Sequence, residues 1–423
     1  MTGRRPDAVA VPLISSGSSV ACLRSLGNAG VRTIGLAETA SAASAHSKHC
    51  HEVRRVPSSW SDLDGFTDEL FDVAERSDVR TVVPLRESHI YLLAKHRDRL
   101  AREISTPWPS FETFQTVQDW LELAEVATAV DVTVPETAPA DEWTHWDEQT
   151  VVKSRHSIHV DEDDVYDSDV QFFDSGGEPD VEEVVADFGH VPIAQEYVTG
   201  SRECGFFALF DSGEPVATFQ HRRVRSHSYA GGPSVYRTAI DDPSLEAAGL
   251  RLLEALDWHG PAMVEFKYDP VDGEFYLMEI NPRFWGSLAL PVAAGVDFPK
   301  LYYELATGGV DEPAFDYETG VGCHLLIGEL SYLYSILTDD YAFIEKPALL
   351  PELVAISRSV VTEPQFDYLA LDDPRPFLCK LGALACDLPS LTRDLLAGPL
   401  TSDQSTDGES QRPSRIPALS WLR

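Results

Sequence analysis

Two alternating apolar–polar runs, "AMVEFKYD" and "EFYLMEIN", flank the turn-forming "DPVDG" within residues 262–281, a pattern that specifies a β-hairpin. With the loop centred near Asp272, Glu265 lies directly across from Glu279. Asn281 and Arg283 share the face of Glu279 if the strand continues past Pro282. Two opposed carboxylates destabilise a sheet unless a cation lies between them. Two carboxylates and one amide, oxygen ligands only, suit Mg²⁺ or Mn²⁺ rather than zinc and leave coordination positions for phosphate oxygens. Arg283 beside them favours a phosphate site over the alternative, an exposed hairpin with solvated acids.

The rest of the chain sets the frame. Its 423 residues are enough for two or three domains. With 69 acidic against 33 basic side chains and a formal charge of −36, phosphate polymers and anionic membranes are repelled, which excludes nucleic acid and membrane partners. The same surface, with only seven lysines, reads as adaptation to high salt. No apolar run approaches the roughly 20 residues of a membrane span, and the first residues lack a secretory pattern, so a cytoplasmic location is expected. The six cysteines form no CxxC pair and read as buried thiols. "AHSKHCHEV" matches no common zinc spacing and reads as ordinary loop or strand surface.

Along the chain, "AVAVPLISSG", "SSVACLRSLGNAG" and "VRTIGLAE" make a β-α-β opening, and a third unit follows at "VRTVVPLRES" and "HIYLLAKHRDRL". Gly17 with Glu38 some way downstream invites a dinucleotide reading, but the G-x-G-x-x-G fingerprint is missing, which favours a plain α/β substrate-binding fold. Loops after such strands face the ligand crevice, which makes Arg86, Glu87 and Ser88 candidates for substrate contact. Residues 111–143 read as helical connection, and from about 150 the chain turns to strands and hairpins with one amphipathic helix, an α+β region.

The stretch "GPAMVEFKYDPVDGEFYLMEINPRFWGSLALPVAAGVDFP" resembles the signature end of the ATP-grasp superfamily, which includes carboxylate–amine and carboxylate–thiol ligases and relatives of biotin carboxylase and carbamoyl-phosphate synthase. "VVKSRHS" and "AQEYVTGSRECGFFALFD" resemble its nucleotide strands in order, so the likeness runs over about residues 8–305. It implies a pre-ATP-grasp Rossmann-like α/β domain over 1–110 and an ATP-grasp domain over 111–310. Beyond the likeness, amphipathic runs such as "HLLIGELSYLYSIL" and "PSLTRDLLAG" read as a mostly helical extension over 311–400, and the polar "TSDQSTDGESQRPS" reads as part of a disordered tail over 401–423. The likeness also implies Glu265, Glu279 and Asn281 on Mg²⁺, with two ions expected, Arg283 on the transferring phosphoryl group or acyl intermediate, and Lys153 on the α/β-phosphates. Gln195, Glu196, Tyr197 and Val198 would form the adenine hinge, with Glu203 near the ribose. Arg223 and Arg225, on one face by alternation, are candidates for a substrate carboxylate or the γ-phosphate.

The family usually carries a glycine-rich loop soon after the strand lysine; here the acidic "SRHSIHVDEDDVYDSD" follows Lys153. The expected activity is that of an ADP-forming ligase. ATP phosphorylates a substrate carboxylate to an acylphosphate, and an amine then attacks to form an amide. The partners are small-molecule acids and amines, and a homodimer is compatible with the sequence. The alternatives are carboxylation through carboxyphosphate and a nucleotide sensor without turnover.

Overall fold

The computed structural model describes residues 7–161, 164–167, 170–177, 179–198, 202–341 and 344–397. The tail expected over 401–423 lies outside them.

The strand Ala8–Pro12 (β1) is buried throughout and its two faces serve two cores: Val9 and Val11 join one apolar cluster, Ala8 and Ala10 another. Such a doubly buried strand belongs in a parallel sheet covered on both sides. Gly17–Asn28 (α1), capped by the Ser16 hydroxyl, leads to Arg32–Ala37 (β2) and Glu52–Arg55 (β3). Leu63–Ala74 (α2), Val79–Val82 (β4), Glu87–Lys95 (α3) and Arg97–Leu100 (α4) follow. The strands form a parallel sheet in the order β3-β2-β1-β4.

Phe111–Gln118 (α5) and Trp120–Ala129 (α6) connect to a second, antiparallel sheet ordered β5-β10-β6-β9. It is built from Thr137–Pro139 (β5), Thr150–Lys153 (β6), Val170–Phe173 (β9) and Ile193–Glu196 (β10). Between β6 and β9 the acidic segment forms a hairpin of Ile158–Asp161 (β7) and Asp164–Asp167 (β8). Val181–Phe188 (α7) precedes β10. Trp143, Trp146, Val152, Val184, Phe188 and Ala194 give this small sheet its own apolar cluster.

The largest sheet is ordered β15-β14-β11-β12-β13-β16. Its strands are Arg202–Asp211 (β11), Glu214–Ser228 (β12), Gly231–Ala239 (β13), Gly260–Tyr268 (β14), Phe275–Asn281 (β15) and Gly322–His324 (β16). Pro243–Ala255 (α8) packs on one face through Leu245, Leu252 and Leu253 against Phe206 and Phe210. The other face, with Phe207, Phe219 and Met263, shares a core with Val9, Val11, Leu23 and Leu26 of the N-terminal unit. Ala289–Ala294 (α9) and Phe298–Thr307 (α10) enter that core through Leu290 and Phe298. The segment expected to be mostly helical carries Leu326–Thr338 (α11), Leu349–Thr362 (α12) and Arg375–Ala397 (α13). It also carries β16, which completes the large sheet; three residues are too short a run to register as a strand pattern.

Candidate active site

Glu265 and Glu279 are directly paired across the β14–β15 hairpin, and Met263 pairs with Asn281. The turn arrives at this register by a detour. Tyr268 pairs with Phe275 and Phe266 with Leu277, so uninterrupted pairing would set Glu265 against Met278. Met278 is instead an extra residue, a β-bulge, and it moves Glu279 and Asn281 off the face on which Phe275 and Leu277 are buried. Ile280 takes their place in the core. The bulge turns an otherwise apolar strand so that Glu279 reaches the wall of a cavity, with Asn281 hydrogen-bonded beside it.

That cavity, of about 800 Å³, lies between the parallel sheet, the large sheet and the C-terminal helices. Glu265, Glu279, Arg223, Arg283 and Glu87 are on its wall, as are Ser15 to Ser18 at the start of α1. A second cavity of about 700 Å³ opens between the small sheet and the β12–β13 ribbon, walled by Phe172, Tyr197, Glu203 and Lys267 among others. Arg223 and Gly232 border both.

The charges at the junction are tightly tied. Arg223 donates from Nη1 to Glu203 at 2.5 Å and from Nη2 to Glu265 at 3.3 Å. Burial, against the pull of Arg223 and reinforced by Glu279 and Glu203, pushes the Glu265 carboxyl up to about 7. Arg283 donates from Nε to Glu87 at 2.5 Å and from Nη2 to Asn281 Oδ1 at 2.9 Å, while Asn281 Nδ2 donates to Glu279 at 2.8 Å. Among the described residues no three His, Cys, Asp or Glu side chains converge as a metal cluster; the set here is two carboxylates and an amide. Their chemistry fits a hard divalent cation: two carboxylates face one another across the hairpin, and burial raises the Glu265 carboxyl in spite of Arg223.

Lys153 is 8% exposed and its ammonium sits 3.2 Å above the Trp120 ring. Burial drives it down to about 7, partly offset by Glu279. It belongs to neither cavity wall. Of the four hinge candidates, Tyr197 lines the second cavity. Gln195 turns its amide to the Thr137 hydroxyl at 2.9 Å, and Val198 is buried. The Glu196 and Tyr197 amides donate to Glu136 O and Gln149 O, so those two residues have carbonyls rather than N–H groups to offer a base.

Two expectations are corrected. Arg225 does not share the face of Arg223: Arg223 pairs with Arg237, Arg225 with Tyr236, and the extra residue Val224 flips Arg225 to the opposite side. There it is largely buried against Glu329 and Ser359, at the wall of the second cavity. Ser88 is fully buried, its hydroxyl 2.9 Å from Ser59 Oγ, inside a network that also ties Arg86 and His89 to Glu38. It faces the interior, whereas its neighbour Glu87 reaches the cavity. The sequence reading also missed Lys267, whose ammonium lies 5.1 Å from the Tyr197 ring centre in the second cavity. The scarcity of lysine and its place two residues beyond Glu265 were the available signals.

Residues 194–323 match the family described as ATP-grasp in the biosynthetic pathway with Ter operon. The arginine-specific large chain of carbamoyl phosphate synthase from Bacillus subtilis (strain 168) is 29% identical over 124 residues. The match takes in 27% of this chain and only 12% of that curated relative, so the chain spans a small part of it. Among solved structures, the L-amino acid ligase from Bacillus licheniformis aligns with a TM-score of 0.52 and 17% identity, covering 73% of this chain and 76% of that one. The biotin carboxylase domain dimer of Hydrogenobacter thermophilus 2-oxoglutarate carboxylase, in complex with MgADP, ADP and bicarbonate, aligns with a TM-score of 0.56 and 14% identity, covering 76% and 74%. At these identities the likeness is one of fold. Residues 194–323, which carry Arg223, Glu265, Glu279 and Asn281, thus match an ATP-grasp family, and the chain shares the fold of these solved ligase and carboxylase structures.

Proposed function

We propose that the protein is an ATP- and Mg²⁺-dependent ligase that converts a substrate carboxylate to an acylphosphate, releases ADP and joins the acyl group to an amine. The observation that carries this reading is the meeting of two cavities at Arg223, beside the opposed Glu265 and Glu279. The cavity bearing Tyr197, Lys267 and Glu203 has the aromatic and polar lining a nucleotide needs, and the one bearing Arg283 and Glu87 has room for the acid.

In this reading Glu265, Glu279 and Asn281 hold the cation, whose contribution is to neutralise charge on the phosphoryl group in transfer. Arg223 steadies that group and aligns it with the acid. Arg283 exchanges Glu87 for the substrate carboxylate, a geometry its planar fork allows. Lys267, on the wall of the second cavity, supplies further positive charge to the nucleotide phosphates, and Lys153 would join it on leaving the Trp120 ring. The solved ligase and carboxylase of the same fold are consistent with such chemistry.

The experiment is a trap. Mg-ATP, a panel of carboxylic acids and hydroxylamine should yield ADP and a hydroxamate, because the nucleophile intercepts an activated carboxyl. ADP release that requires bicarbonate would instead identify a carboxylating enzyme. Nucleotide binding without consumption across the panel would identify a sensor, and AMP as product would exclude the mechanism.

A further inference from the structure

The first cavity has a wall that the family match over 194–323 does not include. Lys380, Ala383 and Leu384, all on α13, line it together with Asp367 and Tyr368. This wall is fixed. Arg24 on α1 donates from Nε to Asp373 at 3.0 Å and from Nη2 to the carbonyls of Tyr368 and Asp373 at 2.7 and 2.9 Å. Ser47 and the amide of Lys48 also donate to the Asp373 carboxylate. The Tyr368 hydroxyl donates to the Ser15 carbonyl, and a Cβ on Gly17 would come within 2.8 Å of Asp367. The C-terminal segment is therefore clamped to the start of α1, with Phe377 and Cys379 packed over Val20 and Ala43.

Lys380 is out of keeping with its surroundings. In a chain with 69 acids and seven lysines, Lys48 and Lys300 are paired with Asp372 and Glu304, and Lys346 donates to the Asp339 carbonyl. Lys380 is half-buried and, among the described residues, has no carboxylate partner; its ammonium lies 5.4 Å from the Tyr368 ring centre. Asp367, on the same wall, is taken by Arg237. Burial lowers the proton affinity of Lys380, so an anion in the cavity would restore what desolvation removes. Lys153 and Lys267 show the same combination of burial and an aromatic ring beneath the ammonium.

We propose that Lys380, held over the acid cavity by α13, is a specificity-determining residue that binds a second anionic group, carboxylate or phosphate, on the acid substrate. The reacting carboxylate belongs at Arg223 on the large sheet and Arg283 just beyond β15, and the second anion at the helical wall, which makes the substrate a dianion. This rests on the ligase reading for which carboxylate reacts, but not for the existence of the subsite.

The test is titration calorimetry without nucleotide on wild type, Lys380→Met and Lys380→Arg. Met keeps the stem that covers Tyr368 and removes the charge. The probes are dicarboxylates from malonate to adipate, the matching phosphonocarboxylates, and monocarboxylates of equal length. At least one dianion should bind wild type, about ten-fold more weakly to Lys380→Met, with most of the affinity restored in Lys380→Arg. Monocarboxylates should be indifferent to the substitution. Preference between the two dianion series identifies carboxylate or phosphate as the recognised group. Equal dianion affinity in Lys380→Met, monoacids binding as well as dianions, or no dianion binding at millimolar concentration would each overturn the proposal. Melting curves show whether the variants are folded, and should Lys380→Met not fold, Lys380→Gln carries the same comparison. Lys380-dependent dianion binding without ADP or hydroxamate in the trap would overturn the ligase reading and leave the subsite standing. Hydroxamate from monoacids alone, at the same rate in Lys380→Met, would do the reverse.

Discussion

Arg225 and Glu329 form a two-point ion pair inside the protein, Nε to Oε2 and Nη2 to Oε1 each at 2.8 Å, with side-chain exposures of 7% and 3%. His324 Nδ1, 2.8 Å from Glu329 Oε1, and Ser359 Oγ, 2.9 Å from Arg225 Nη2, complete the surroundings. Removing one partner strands a buried charge. Glu329→Ala should therefore destabilise the fold by about 3–5 kcal/mol, read from the denaturant midpoint. The double change Arg225→Met, Glu329→Leu should recover most of that loss. A stable Glu329→Ala variant with impaired substrate binding would instead return Arg225 to the substrate.

Glu279→Gln removes one of the two opposed charges while keeping size and hydrogen bonding. Metal-dependent ATP turnover should fall by at least about 100-fold, with the melting temperature preserved. Assay of ADP release across a Mg²⁺ and Mn²⁺ titration checks it, and near-wild-type turnover would remove Glu279 from the ligand set.

Lys153 gives a pH signature. Its folded-state pKa of about 7 lies below the ordinary 10.5, so below pH 7 the folded protein carries the full cost of a buried ammonium. Between pH 7 and 10.5 the folded lysine loses its proton before the unfolded one, and stability contributed by this residue rises. Lys153→Met should melt a few degrees above wild type at pH 6, with the gap closing by pH 10. If the phosphates meet Lys153, ATP binding at pH 8 should take up a proton, seen as a buffer-dependent calorimetric enthalpy that the Met variant lacks.

The charge of −36 predicts a steep dependence on salt. Going from molar to about 10 mM KCl lengthens the screening distance from roughly 3 Å to 30 Å and exposes acidic side chains to one another. The melting temperature should fall continuously across that titration. A flat curve would reject adaptation to high salt.

The hairpin was legible in the sequence because alternation and turn chemistry are local. Its two carboxylates were placed opposite one another, but the bulge at Met278 that brings them there leaves no mark in the residue pattern. A second bulge, at Val224, defeated the same alternation rule for Arg225. Ser88 was misplaced because its partners, Ser59 and through it Glu38, lie 29 and 50 positions away and only the folded sheet brings them together. Lys380 was invisible for the same reason: nothing near it in the chain marks it as lining one cavity with Arg283, about a hundred residues earlier.

The acidic hairpin that stands where phosphate-binding glycines were expected has its own consequence. Ile158 on β7 is buried in the apolar cluster of the N-terminal unit, and Val160 packs against it, although both follow Lys153 on the small sheet. Arg155 and Asp119 bind at 2.7 Å beside that anchor. The small sheet is therefore latched at one corner to a unit with which it shares no strand. To widen the gap between β6 and β12, it must either draw Ile158 out of a hydrocarbon socket or swing with that side chain as its pivot. Movement of the small sheet and the integrity of the N-terminal core are thus coupled through Ile158, Val160 and the Arg155–Asp119 pair.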